Sequence, residues 1–195
     1  MAKLYFRYAA MGSGKSLDLL KTAFNYTERN QKVLLFTSNI DNRYDVGLIK
    51  SRLGVESPAI SVDDKYNIYT NVKSMDEKIS CVLVDEIQFF NEQHIWQLSD
   101  IVDKLNIPVI CYGLRADFKC ELFPSIKKLM AVADEIEELK TICDCGKKAI
   151  INSRYDENGR IEIDGNQIEV GDKQYKSICR KCYKNEIEKL KNEKQ

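Results

Sequence analysis

The sequence predicts an α/β fold, a parallel sheet flanked by helices, with a small cysteine-bearing unit at the carboxyl end. Three observations support this. From Lys3 to Lys140 short apolar runs alternate with longer amphipathic stretches, the rhythm of parallel strands joined by helical crossovers. After Lys140 the texture changes to two cysteine pairs around a polar, glycine-bearing segment. The length of 195 residues exceeds a single domain of about 150 residues by only a small appendage. The expected division is a main unit over 1–140 and a smaller unit over 141–195.

The first strand is Leu4 to Tyr8, and Lys15 to Arg29 follows with Leu19, Leu20, Ala23 and Tyr26 at helical spacing. Lys32 to Phe36 is the second buried strand. Residues 41–76 are less regular; Val46 to Leu53 reads as a short helix and Ile68 to Val72 as a strand. Cys81 to Val84 and Pro108 to Tyr112 are further apolar strands, and between them Glu92 to Leu105 aligns Ile95, Leu98, Ile101, Val102 and Leu105 on one helical face. A weaker strand, Ala133 to Leu139, alternates charges with apolar residues. Hairpins suit Asn152 to Tyr175, where Arg160-Ile161-Glu162-Ile163 alternates, and a short terminal helix suits Lys184 to Gln195. No internal repeat is present.

Composition excludes several classes of function. Thirty lysines and arginines balance 30 aspartates and glutamates, so the chain lacks the basic excess that holds a protein to a phosphate backbone, and no nucleic-acid partner is expected. Hydrophobic residues at 44% supply an ordinary core. No run approaches 18 apolar residues and the first residues lack a signal-peptide core, so a cytoplasmic protein with no membrane partner is expected. In that setting the seven cysteines should be reduced thiols, and clustered ones should be metal ligands. Cys81, Cys111 and Cys120 stand apart and read as packing residues; His94, the sole histidine, reads as a surface or packing residue.

The strand Leu4 to Tyr8 runs into Ala9-Ala10-Met11-Gly12-Ser13-Gly14-Lys15-Ser16, which opens a helix. This is the Walker A layout of a P-loop, with Ala9 where the first glycine usually stands. Backbone N–H groups of such a loop face phosphates, and here Lys15 would reach the β- and γ-phosphates and Ser16 would ligate Mg²⁺. The bland alternative is a chance Gly-Ser-Gly-Lys-Ser turn. Cys81-Val82-Leu83-Val84-Asp85-Glu86 supplies the matching Walker B pattern, four apolar residues and then an acid. Asp85 would hold the magnesium shell and Glu86 would take a proton from an attacking hydroxyl or water. The pair implies a P-loop NTPase fold of the RecA-like kind. Cys143-Asp144-Cys145 and Cys179-Arg180-Lys181-Cys182 enclose residues 146–178 and read as ligands of one structural Zn²⁺. Two free thiol pairs, or one pair with a different third ligand, are the alternatives.

Met11 in the loop, Asp41-Asn42-Arg43-Tyr44, Asp85-Glu86-Ile87-Gln88-Phe89-Phe90, Tyr112-Gly113-Leu114-Arg115-Ala116-Asp117-Phe118 and Cys179-Arg180-Lys181-Cys182-Tyr183 occur in that order. Together they resemble the thymidine kinases of the cellular and bacterial zinc-containing type, over residues 3 to 183. The resemblance implies Mg-dependent transfer of the ATP γ-phosphoryl group to the 5′-hydroxyl of thymidine or deoxyuridine. It makes Glu86 the general base and adds Gln88 to the nucleotide-binding residues. It places Asp41 at the sugar, with Arg43 near the transferring phosphate or acting as a salt-bridge partner that shapes the loop. It lines the base pocket with Phe118, Leu114, Phe123 and Met11; without the family, Leu114, Phe118 and Phe123 read more readily as core. Residues 170–175 would form a lasso over the base, with Val170 and Tyr175 among its contacts. A homotetramer and feedback inhibition by dTTP are implied as well. The departures are Ala9, the one-residue spacing of Cys143 and Cys145, and Gly171-Asp172 where paired glycines are more usual, in a segment one residue short. Rival readings are a DNA-stimulated P-loop ATPase with a zinc ribbon, and a zinc-bearing interaction module switched by nucleotide.

Overall fold

The computed structural model describes residues 1–40, 46–168 and 174–193. In chain order its first elements are β1 (Leu4–Ala9), α1 (Lys15–Thr27), β2 (Lys32–Ser38), β3 (Leu48–Lys50), β4 (Glu56–Pro58), β5 (Ile60–Val62) and α2 (Ile68–Lys73). Then come β6 (Ile79–Val84), the 3₁₀ turn Ile87–Phe89, α3 (Glu92–Leu105), β7 (Val109–Leu114), α4 (Pro124–Val132) and β8 (Glu135–Glu138). The carboxyl part holds β9 (Thr141–Ile142), β10 (Lys148–Ala149), β11 (Ile151–Tyr155), β12 (Gln174–Ile178) and α5 (Arg180–Glu193).

Among the described residues six strands form one sheet in the order β5-β2-β6-β7-β1-β8. Every pairing in it is parallel. Side chains alternate between the two faces, as strand geometry requires. Val82, Val84, Val109 and Cys111 pack with Ile95, Leu98 and Ile101 of α3, Ile68 and Val72 of α2, and Ile126 and Leu129 of α4. Cys81, Leu83, Ile110 and Tyr112 pack on the other face with Leu19, Leu20 and Ala23 of α1. Full burial of such a side chain stabilises by about 1.5–3 kcal/mol, so the apolar runs of β6 and β7 fix the centre of the sheet. α1 is also tied down by polar groups: Arg7 donates to Asp18 at 2.9 Å, and the Tyr112 hydroxyl donates to Asp18 at 3.0 Å.

Two expectations for residues 41–76 are overturned. Residues 46–53 are not helical: Leu48–Lys50 pairs antiparallel with Glu56–Pro58, and Ile49 is the one buried apolar side chain there, with Ser51 buried beside the turn, while Val46 and Leu53 are exposed. A helix there would bury nothing more, and Gly47 and Gly54, at φ 77° and 84°, turn the chain at both ends. Ile68–Lys73 is a helix rather than a strand, since Asn67 accepts from Thr70 N–H at 2.8 Å as its N-cap and Ile68 and Val72 reach the core one turn apart. α4 escapes the periodicity argument because only Ser125, Ile126 and Leu129 are buried behind Pro124 at its first turn. The terminal helix begins four residues earlier than its expected start at Lys184, at Arg180, immediately after Cys179.

The carboxyl unit has its own small cluster, in which Cys143, Ala149, Ile178 and Cys179 are buried. Its antiparallel hairpin pairs Asn152 with Ser177 and Arg154 with Tyr175, so these four residues share one face. No helix of the structure, among the described residues, is long and apolar enough to cross a membrane.

Candidate active site

The phosphate loop begins where β1 ends. Ala9 is the last residue of that strand, opposite Leu114, outside the positive-φ positions, so the missing first glycine takes no left-handed conformation from the loop. The turning is done by Gly12 at φ 72° and Gly14 at φ 82°, the latter at the N-cap of α1. Lys15 is buried, and its Nζ lies 3.3 Å from the Ala10 carbonyl. Ser16 follows it in the first turn of α1.

Asp85 and Glu86 stand at the end of β6. Asp85 is buried and hydrogen-bonded to Ser16; burial, followed by repulsion from Glu86, pushes its carboxyl pKa up, while Ser16 and the Lys15 charge pull it down. Phosphate-loop cation, helix hydroxyl and two acids therefore meet at one place. Glu86 adopts φ 51°, ψ 42°, a left-handed corner rare for residues other than glycine, and leads into the 3₁₀ turn. Gln88 donates to the Glu86 carboxylate through Nε2 and accepts the Leu114 N–H at 3.0 Å through Oε1. Gln88, expected among the nucleotide contacts, is thus a direct partner of the candidate base.

Gly113 makes that contact possible. A β-carbon at 113 would lie 2.7 Å from Gln88 Oε1 and 2.7 Å from Ile87 Cγ2. Gly113→Ala is therefore expected to destabilise the protein by about 1–3 kcal/mol and to lower kcat as Gln88 is pushed from Glu86. Calorimetry and steady-state rates check both effects; an unchanged kcat would show that the Gln88 contact does not position the base.

Phe118 is fully buried, and the Arg154 guanidinium covers one face of its ring at 3.6 Å from the centroid. Arg154 pairs with Glu162 and donates to the carbonyls of Asn166 and Asp164 at 3.0 and 3.3 Å. Asp117 caps the same loop, accepting from the N–H groups of Lys119 and Glu121 at 2.9 Å each, and takes a bond from Gln167 at 2.9 Å. Phe123 packs in the main core, with its ring edge-on to Phe89 at 6.4 Å, and Leu114 lies partly buried beside it. Met11 and Tyr175 are half-buried. Asp41, Arg43 and Val170 lie outside the described residues.

In the carboxyl unit the sulfurs of Cys143, Cys145, Cys179 and Cys182 all lie within 4.8 Å of one another, with Cys145 and Cys179 at 3.6 Å. Zn–S bonds of about 2.3 Å put the edges of a sulfur tetrahedron at about 3.8 Å, so the four thiols fit Zn²⁺. The tight first pair is accommodated by Gly146, at φ 81°, whose N–H closes a turn on the Cys143 carbonyl at 2.8 Å. Cys81 and Cys111 are buried packing residues as expected, but Cys120 is exposed at a left-handed corner of the Phe118 loop, hydrogen-bonded to Tyr183. His94 is buried and structural: its Nδ1 accepts from Asn91 N–H at 3.4 Å and its Nε2 lies 3.0 Å from the Tyr66 carbonyl. Burial holds its pKa below the ordinary value.

The sequence motifs pass over Asn152, Arg154 and Ser177, which have no characteristic spacing and become neighbours of the loop only through folding. Comparison with known proteins agrees with the geometry. The thymidine kinase family profile matches residues 2–183. The chain is 47% identical over 195 residues to a thymidine kinase of Mannheimia succiniciproducens, covering 98% of this chain and 100% of that protein. It is 49% identical over 193 residues to a thymidine kinase of Francisella tularensis subsp. holarctica, covering 94% and 98%. A thymidine kinase of Agrobacterium fabrum is 46% identical over 184 residues, covering 93% and 95%. A glycine-bearing loop whose Lys15 and Ser16 meet an acid pair, a four-cysteine cluster and likeness along nearly the whole chain lead to one conclusion: this chain belongs to the thymidine kinase family.

Proposed function

We propose that this protein transfers the γ-phosphoryl group of ATP to the 5′-hydroxyl of thymidine or deoxyuridine, forming the nucleoside monophosphate and ADP. The observation that carries the reading is the meeting of Lys15, Ser16, Asp85 and Glu86 in a chain that matches thymidine kinases over nearly all its length. The DNA-stimulated ATPase is not favoured by that match.

Glu86 accepts the 5′-hydroxyl proton as the oxygen attacks phosphorus and the bond to the ADP oxygen breaks. Gln88 orients the carboxylate by donating to it, and the left-handed corner at Glu86 ends the strand there. Lys15 and the N–H groups of residues 9–16 stabilise charge on the phosphate oxygens. Mg²⁺, when bound with ATP, neutralises the same oxygens, and Ser16 with Asp85 is the pair suited to hold it. Zn²⁺ on the four cysteines would be structural. Asp41 is assigned to the sugar and Arg43 to the phosphate side. A cytoplasmic homotetramer inhibited by dTTP is carried over from the family.

Met11, Leu114, Phe118, Phe123, Val170 and Tyr175 are assigned to the base. A lasso that pairs backbone groups with the O2, N3–H and O4 edge of thymine rejects the amino group of cytosine and leaves no room for a purine. Against a panel of nucleosides with ATP, thymidine and deoxyuridine should be phosphorylated and deoxycytidine and purine nucleosides disfavoured by about 5- to 150-fold, the scale of one unpaired buried polar group. Phe118→Ala should raise the KM for thymidine and spare that for ATP. Equal activity on deoxycytidine, or a Phe118→Ala defect confined to ATP, would overturn the pocket.

A further inference from the structure

The two strands of the carboxyl hairpin grip a single residue of the phosphate loop. Asn152 Oδ1 accepts the Met11 N–H at 2.7 Å, and the Ser177 hydroxyl donates to the Met11 carbonyl at 2.6 Å. These two residues oppose each other across β11 and β12, so they close on Met11 as a pair. Asn152 is buried and also donates to the Ala116 carbonyl at 3.1 Å, two residues before Phe118. The peptide that presents the Met11 N–H to Asn152 presents the Ala10 carbonyl to Lys15 Nζ at 3.3 Å. One peptide group therefore links Asn152 to the phosphate-binding lysine. The next pair on the same hairpin face is Arg154, stacked on Phe118, and Tyr175.

We infer that Asn152 and Ser177 are positioning residues that set the phosphate loop from the hairpin and couple the binding of nucleoside to that of ATP. The inference deepens the thymidine kinase reading and rests on it for the identity of the nucleoside. Ordering of the hairpin face by a nucleoside against Phe118 and Tyr175 holds the Met11 peptides in place, and with them Lys15 and the loop amides. By linkage, phosphate bound in the loop must then favour nucleoside binding by the same factor.

The test uses the full-length protein and the variants Ser177→Ala, Ser177→Thr and Asn152→Ala. Thymidine affinity is measured with and without a non-hydrolysable ATP analogue, alongside KM for both substrates, zinc content and Tm. In the parent each ligand should tighten the other. Ser177→Ala and Asn152→Ala should bring that factor close to one and raise both KM values about 5- to 10-fold, the effect of one lost hydrogen bond to a fixed backbone group. Ser177→Thr, which keeps the hydroxyl, should restore both. Ser177 is only half-buried, so its variants carry the test if Asn152→Ala fails to fold. Both KM values within twofold of the parent, or an unchanged coupling factor, would overturn the inference, because a purely structural anchor moves Tm alone. If the parent phosphorylates no thymidine while Ser177→Ala still weakens the ATP analogue, the substrate reading falls and the clamp stands.

Discussion

Glu86→Gln is expected to leave ATP and thymidine binding nearly intact and to lower kcat by about 10²-fold or more, the usual scale for removing a positioned general base. The amide matches the carboxylate in size and still offers an oxygen to the Gln88 Nε2, so the corner at residue 86 and the 3₁₀ turn after it should persist. What disappears is the group that receives the 5′-hydroxyl proton. Binding of a non-hydrolysable ATP analogue and of thymidine separates this outcome from misfolding, and a kcat near the parent value would refute the role of Glu86.

Cys179→Ser should act on the other half of the molecule. Among the described residues the small cluster around the cysteines has one fully buried large aliphatic side chain, Ile178, beside Ala149 and two of the cysteines, with Ile151 and Tyr183 packed partly buried against it. At about 1.5–3 kcal/mol for such a side chain, that cluster cannot organise the hairpin alone, whereas structural zinc in small domains binds with an apparent ~10–16 kcal/mol that appears as folding energy. Loss of one thiolate should lower zinc content and thymidine affinity together, the latter by tenfold or more. ATP binding should weaken less, since the loop remains anchored on β1 and α1. Zinc analysis of the purified variant decides the matter: full occupancy would show that the ligand set is wrong.

Much of this architecture is legible in the residues. The strands at Cys81 and Val109 are legible because a strand buried on both faces must be apolar throughout, those at Leu4 and Lys32 because short apolar runs precede helical patterns, and the loop and acid pair because phosphate chemistry restricts their residue types. The β3–β4 hairpin and α2 are misread because a three-residue strand and a six-residue helix carry too little periodicity to outweigh local propensity, and their state is settled by which side chains reach the core. The proposed assignment of Leu114, Phe118 and Phe123 to a pocket rests on family likeness, because an aromatic in a core and an aromatic in a pocket look alike in sequence. Asn152, Arg154 and Ser177 were invisible for a different reason: their roles depend on hairpin register, and nothing in an Asn or Ser announces which distant backbone group it will bind.

The grip on Met11 also bears on how the chain acquires activity. Its two hydrogen bonds span 141 and 166 residues of sequence, among the longest separations of any side-chain hydrogen bond in the described residues. The phosphate loop is made early by a ribosome moving from the amino end, yet these two restraints come from strands synthesised 141 and 166 residues later. Contacts of such separation form late, after loop-closure entropy has been overcome elsewhere. During refolding, helix content should thus recover ahead of kinase activity, and a nascent chain that has not yet released the β11–β12 hairpin holds a loop of the right sequence still without its grip on Met11.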